Sequence, residues 1–364
     1  FFRPLSSLLI RGDLALFGRA TMWAHLHSVL WYGLLVAGAG LILRRVLPGS
    51  VGALALLIFA VAPSHWLPVV WLANRNALVA TVLVIWALYA HIRWREDGWK
   101  PGLPLSALGY AMGLLGGEAA LGALAYLFAY EVIAGRGGLK GRVFGLMPAA
   151  VVGLGYLLFY SSYGYGAYGS ATYIDPIREP LDYLLIAPVR VFGMLAGGLV
   201  GFPIDASILA LWLHPVQATI GLAAVGAFAW VLRRAWPTLE AGQRRAMAWL
   251  LLGAFLSMAP VAATFPSSRL LLMPSLGMAV AIAAVLVYWW SQRQQMRGRA
   301  LKVMAVYLIV IHLVLAPLAW LGPSVLLSIL NRKAVAACMA AEINDVADAA
   351  KRHYVVVAGP DPFT

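Results

Sequence analysis

Apolar runs dominate the chain and recur with short polar breaks. Windows fall at 22–43, 51–62, 76–94, 104–115, 119–134, 143–161, 183–200, 217–232, 247–264, 271–290 and 303–321. Several reach roughly 18 residues without a charge, the length a helix needs to cross a hydrocarbon core of about 30 Å. Basic clusters punctuate them: Arg44-Arg45, Arg93/Arg95/Lys100, Arg136/Lys140/Arg142, Arg233-Arg234 with Arg244-Arg245, and Arg293/Arg297/Arg299/Lys302. Lys and Arg collect in cytoplasmic loops, so residues 1–20, 63–75, 163–182, 265–270 and the tail after 322 are predicted to share the outer face. The segment 104–134 has basic signals at both ends. It is predicted to be a tight hairpin turning near Gly116-Gly117-Glu118, with arms short enough to be re-entrant. A span at 183–200 would break the alternation. That segment also carries Pro188, Arg190 and Gly197-Gly198, and is expected to be an interfacial or re-entrant helix on the outer side.

After residue 322 the character changes. Residues 331–353 place apolar side chains at helical spacing, and "YVVVAG" (354–359) is a short β-type run with a Gly stop. The predicted organisation is therefore a transmembrane domain over 1–322 and the start of a small outer-side α/β domain over 323–364. The chain opens on Phe1 with no signal-peptide pattern. It is expected to be an internal piece of a longer protein.

Composition sharpens the class. Apolar residues are 62% of the 364 and charged residues 11%, with a mean hydropathy of +0.84. Soluble domains are nearer half apolar and a quarter charged. The fold class is thus an all-α polytopic membrane protein, with about ten transmembrane helices besides the re-entrant segment. The net charge of +13 belongs to the membrane topology and does not signal nucleic acid. The single cysteine, Cys338, excludes an intrachain disulfide.

With this topology the isolated polar residues collect on the outer side. Asp13 is the nearest acid on the N-terminal stretch and is a candidate general base, or else a cap or a partner for Arg11. Glu118 lies inside an apolar window and needs a cation or a hydrogen-bond donor. His25 and His65 are candidate phosphate-binding residues, and equally candidate structural histidines. "APSHWLPVVWLANRNALVA" (62–80) spends several polar residues in one place. Pro63 is expected to end a span, Trp66 and Trp71 to anchor at the interface, and Asn74 to cap a helix beginning at about Arg75. Arg3, Arg75 and Arg269 together form a candidate cationic cradle for a lipid phosphate. The alternative for each is a separate contact with lipid headgroups. No carboxylate cluster is present to hold a divalent metal, so no metal ligands are assigned.

These elements in order resemble the GT-C superfamily, integral membrane glycosyltransferases that use polyprenyl-phosphate sugars. The closest likeness is to the O-mannosyltransferase-like group with transmembrane and tetratricopeptide segments. "FFRPLSSLLIRGDLALFG" followed by "AHLHSVLW" is similar to that group's RPL element. Pro63, His65, Val69, Trp71 and Arg75 follow its hP-x-H-x-E-x-V-x-W-x-x-x-R stretch, with Leu67 in place of the glutamate. Gly117-Glu118 stands at its GE element. "SRLLLMPSLG" matches its last element through Arg269, Pro274 and Gly277, with Ser268 in place of the acid. The likeness covers about residues 1–290. It implies a GT-C-like bundle in a bacterial cytoplasmic membrane, with the site and the C-terminal tail facing the periplasm. The implied partner is a lipid-linked sugar or another anionic lipid. Some members use a divalent metal. The family's catalytic aspartate lies upstream of the RPL element, so the resemblance puts it before Phe1. Loss of the acids at 67 and 268 keeps an alternative open: a non-catalytic relative acting as scaffold or accessory subunit among other membrane proteins.

Overall fold

The computed structural model describes residues 2–18, 20–165, 173–208, 210, 212–294, 299–322 and a few positions up to 333. Residues 1–316 form one compact unit and 317–364 another. The expected helix at 331–353 and strand at 354–359 lie outside the described residues, apart from Arg332 and Lys333. Among the described residues every regular element is helical. Seven helices are long and apolar enough to cross a membrane, or eight if the bent pair Ser50–Ala60 and Pro63–Val70 counts as one span.

Two helices form the centre. Helix α5 (Arg75–Asp97) and helix α12 (Ser275–Gln292) are each two-thirds buried over their most apolar stretch. Every residue from Ser275 to Leu286 is buried, so these helices are apolar on all faces. Around α5 pack α2 (Thr21–Val46) and α6 (Gly102–Gly116), and around α12 pack α3 (Ser50–Ala60) and α11 (Ala241–Val261). Gly102, Gly109, Gly113 and Gly116 put one bare stripe of α6 against α5. A Cβ at Gly109 would lie 3.1 Å from the Ala87 Cβ, and one at Gly113 would lie 2.6 Å from Val84 Cγ1. Small residues let helix backbones approach closely where lipid offers no hydrophobic drive between helices.

The predicted turn at Gly116-Gly117-Glu118 is present, leading through a 3₁₀ turn into α7 (Gly122–Ile133). The tight hairpin is not: α6 packs along α5 while α7 packs along α11, and α8 (Gly138–Ser162) touches both arms. Each arm has its own close-packed partner: the glycine stripe seats α6 on α5, and Gly253 of α11 seats α7, where a Cβ would lie 3.1 Å from the Tyr126 Cα.

Two ends can be told apart. The α11–α12 loop, the α6–α7 turn, and the start of α5 lie at one end, called upper below. Tyr126 of α7 donates to the Met273 carbonyl (3.0 Å) there. Helix α9 (Pro180–Val200), which packs along α10 (Leu213–Ala235), has the length and composition of a span. Yet Tyr183 and Arg190 donate to the Ala259 (2.6 Å) and Ala262 (2.9 Å) carbonyls at the upper end of α11. At its other end, Gly198 lies against Met278 in the first turn of α12.

Helix α1 (Pro4–Phe17) was expected only as an outer stretch. Pro4 sits at its first turn and Gly18, at φ +56°, ends it. Its buried residues are Ser6 and Asp13, while Leu8, Leu14 and Leu16 are exposed. A soluble helix would reverse that pattern. Leucines outward and polar groups inward suit a helix lying against lipid.

The basic clusters gather at the lower end, but several are helical rather than in loops. Arg45, in the last turn of α2, pairs with Glu96 (2.7 Å) and Asp97 of α5. Glu131 of α7 is 0% exposed and takes His91 Nε2 (2.8 Å) and Arg95 Nε (2.7 Å). Arg136 donates to the Glu96 carbonyl (3.1 Å) and Arg142 to that of Val132 (2.7 Å). Removing one partner of a buried pair leaves the others charged and unmatched, at about 3–5 kcal/mol. Glu131→Ala is therefore expected to lower the melting temperature in detergent sharply, with Glu131→Gln intermediate. An unchanged melting curve for Glu131→Ala would contradict this account.

Candidate functional site

The upper end draws together side chains from four separate segments. Arg3, at the start of α1, donates from Nε to Glu118 Oε2 (2.8 Å). Tyr160 of α8 donates to the other carboxylate oxygen (3.2 Å). Ser6 donates to the Gly116 carbonyl (2.6 Å). With its amide turned to donate to the Ala73 carbonyl, Asn76 accepts from Arg3 (3.3 Å). The Arg3 and Glu118 side chains are 31% and 25% exposed, so the pair is reachable from outside.

A second, deeper pair lies nearly three turns further along α1. Arg75 pairs with Asp13 and donates to the Ala24 carbonyl (3.1 Å). Asp13 also faces His27 Nδ1 (2.7 Å). The Trp31 indole N–H donates to His27 Nε2 (2.9 Å), which makes Nε2 the acceptor and Nδ1–H the donor to Asp13. His25 lies near enough to Arg75 to feel its charge. Arg75 is 2% exposed, and the gap beside it, lined by Ser6, Leu9 and Val79, is too small for a water. The guanidinium is filled by internal acceptors. Asp13 is buried beside it, 7% exposed, with its oxygens turned to the guanidinium and to His27, so a ligand hydroxyl does not reach it.

The stretch 63–75 is helical rather than an open loop. It forms a 3₁₀ turn at Pro63–His65, helix α4 (Trp66–Val70) and a second 3₁₀ turn at Leu72–Asn74. Helix α5 does begin at Arg75. Asn74 takes the cap position but makes no side-chain capping bond. Pro63 follows the end of α3, and Trp71 is exposed as an interfacial ring would be. His65 is wholly buried, between Ser275 Oγ (2.8 Å) and the Tyr32 hydroxyl (3.1 Å). It ties α2, the 63–65 turn and α12 together.

Arg269 lies in the 3₁₀ turn before α12, over the Phe265 ring (5.7 Å). Among the described residues it makes no ion pair. The structure thus brings Arg3 and Arg75 to one cluster with Asp13, Glu118 and His25, and holds His65 and Arg269 by other contacts. Ser268, where the resemblance expects an acid, donates from its hydroxyl to Asp205 Oδ2 (2.6 Å) and from its N–H to Oδ1 (3.1 Å). An acid reaches this position from another loop. Among the described residues no group of three metal-ligating side chains comes together.

No family model matches this chain, and no curated protein or solved structure matches it either.

If Asp13 and Arg75 stabilise one another, their losses will not add. Arg75→Ala and Asp13→Ala are each expected to destabilise, with a coupling on the order of 2–3 kcal/mol in a double-mutant cycle. Additive losses in thermal or denaturant unfolding would refute the pairing.

Proposed function

We propose that this is a GT-C-like membrane glycosyltransferase, acting at its upper end on a polyprenyl-phosphate sugar. The observation that carries the reading is the partly exposed Arg3–Glu118 pair. Its members come from the RPL-like and GE-like elements, 115 residues apart, and meet at the surface with Tyr160. In the proposed reaction an acceptor hydroxyl oxygen forms a bond to the anomeric carbon of the sugar. Glu118 takes the hydroxyl proton, and the polyprenyl phosphate leaves with the electron pair of the broken bond. A carboxylate base and a cation at the leaving oxygens supply what such a transfer needs. The upper end is taken as the periplasmic side of a bacterial membrane, because the lower end carries the basic clusters. The bundle then has about ten spans, with α9 an interfacial or re-entrant helix, since Tyr183, Arg190 and the Leu199 carbonyl all bond to residues of the upper end.

A second reading has its own observation. Asp13 and Arg75 neutralise each other in a closed contact, and Leu67 replaces the family-like glutamate. A non-catalytic relative, serving as scaffold or subunit for a lipid-linked assembly, would keep such a contact for shape alone.

Transfer from a polyprenyl-phosphate sugar, with the full chain in bilayers, separates the two. The first reading expects turnover that falls by about 100-fold or more in Glu118→Gln. A wild-type chain that binds the donor yet transfers nothing establishes the second. For sidedness, Cys338→Ser with a single cysteine at Ser64 is expected to react with an impermeant maleimide added outside intact cells, and one at Lys140 is not. Reaction at both positions would refute the topology.

A further inference from the structure

A cavity of about 190 Å³ lies at the upper end, apart from the Arg3–Glu118 pair. Its walls are largely carbon, from Ile58 and Phe59 of α3, Met278 and Ile282 of α12, and Ile311. Its polar groups are Ser64, Asp205, Ser268, Ser275 and His312, and no lysine or arginine lines it.

Hydrogen counting shows what these groups present. Ser268 gives both its N–H and its O–H to Asp205, and Ser267 gives a third bond (2.7 Å) to the same carboxylate. Ser275 donates to the Leu272 carbonyl (2.8 Å). His312 is 6% exposed, and its Nε2 faces the Leu199 carbonyl at 3.0 Å. A carbonyl only accepts, so Nε2 carries the proton. In the neutral ring Nδ1 is then an acceptor, and it has no hydrogen bond among the described residues. His312 sits in a π-helical turn, Val310–Leu315, a local widening that often marks a functional position. The cavity therefore presents a surplus of acceptors: the His312 Nδ1 lone pair, the Asp205 carboxylate and the Ser268 oxygen.

We infer that this cavity binds a neutral amphiphile whose head donates hydrogen bonds through hydroxyl groups, with its chain along the apolar wall. A phosphate or carboxylate head would bring only acceptors and a second negative charge beside Asp205. A cationic head would have to lose its water among carbon walls, facing a carboxylate that already holds three donors. The chemistry is that of a long-chain alcohol or an acylglycerol. The inference does not depend on the transfer reaction.

A photoreactive monoacylglycerol, with a diazirine in its chain, tests this on the full chain in phosphatidylcholine nanodiscs. Labelling is expected on α3 and α12, and it should be displaced by unlabelled monoacylglycerol. Displacement by a long-chain alcohol as well assigns the site to a single hydroxyl, whereas displacement by the acylglycerol alone assigns it to the glycerol head. His312→Phe removes the acceptor and is expected to cut labelling about fivefold, the equivalent of one lost hydrogen bond. Ser64→Trp, on a half-buried position at the cavity wall, should block it without disturbing the core. Labelling unchanged in Ser64→Trp overturns the site. Equal displacement by phosphatidic acid, or stronger displacement by an alkylammonium of the same chain length, overturns the hydroxyl assignment. Loss of sugar transfer with labelling intact would defeat the transfer reading and leave this one standing.

Discussion

The contact between Asp13 and Arg75 fixes where α1 lies, and much of the upper end follows from that. A guanidinium at the start of α5, 2% exposed, cannot stay charged there without an anion. Asp13 is the anion, and it sits on a helix of 14 residues that is too short to cross a membrane. Once Asp13 is held, α1 must lie along the bundle with its leucines outward. Its start then delivers Arg3 to Glu118 and Ser6 to the Gly116 carbonyl. His27 and Trp31 of α2 close the chain of bonds from the other side. One deep ion pair thereby positions the shallower pair to which chemistry can be assigned.

The lower end solves a similar problem for a different purpose. There Glu131 is completely enclosed, and its partners His91 and Arg95 lie one turn apart on α5. A Cβ at Gly145 would press into that carboxylate, 2.5 Å from Oε1, so the contact of α8 with α7 depends on a bare backbone. Bonds to Arg45 and Arg136 add α2 and the α7–α8 turn. This cluster reads as a clamp across four helices, closed around a carboxylate that is fully buried, whereas the Glu118 side chain at the upper end is 25% exposed.

The helices were largely legible in the sequence, because a membrane span advertises itself by length and apolar content. Each predicted apolar window contains a helix. Helix α1 was missed for the same reason: it is short, and Arg11 and Asp13 break its apolar run. Its burial pattern can be read only once the neighbours are known. Glu131 was hidden inside an apolar window, and Arg93 and Arg95 looked like loop charges, so their pairing had no signal beyond the cost of a buried acid. For the site, the need of Glu118 for a partner was legible, and the identity of that partner was not. Arg3 and Glu118 are joined by a fold that brings α1 over the α6–α7 turn, and no spacing rule reports that. Arg75 was read as a cation for a ligand because Asp13, 62 residues away on the outer N-terminal stretch, was matched to Arg11 and not to it.

The same physics separates roles among the arginines. Arg75 is enclosed and matched by a carboxylate and a carbonyl, so any anion that reached it would first have to displace Asp13. Arg3 shares its carboxylate with Tyr160 at a partly exposed position, where a ligand can compete for it at little desolvation cost. Arg269 lies over an aromatic ring, a weaker hold than an ion pair at an exposed site. A phosphate approaching the upper end would therefore meet Arg3 or Arg269 before Arg75. The cavity lined by Asp205 and His312 would repel it. An anionic head and a hydroxyl head are thus directed to different places on one end of the molecule: the more accessible arginines draw the first, and surplus acceptors draw the second.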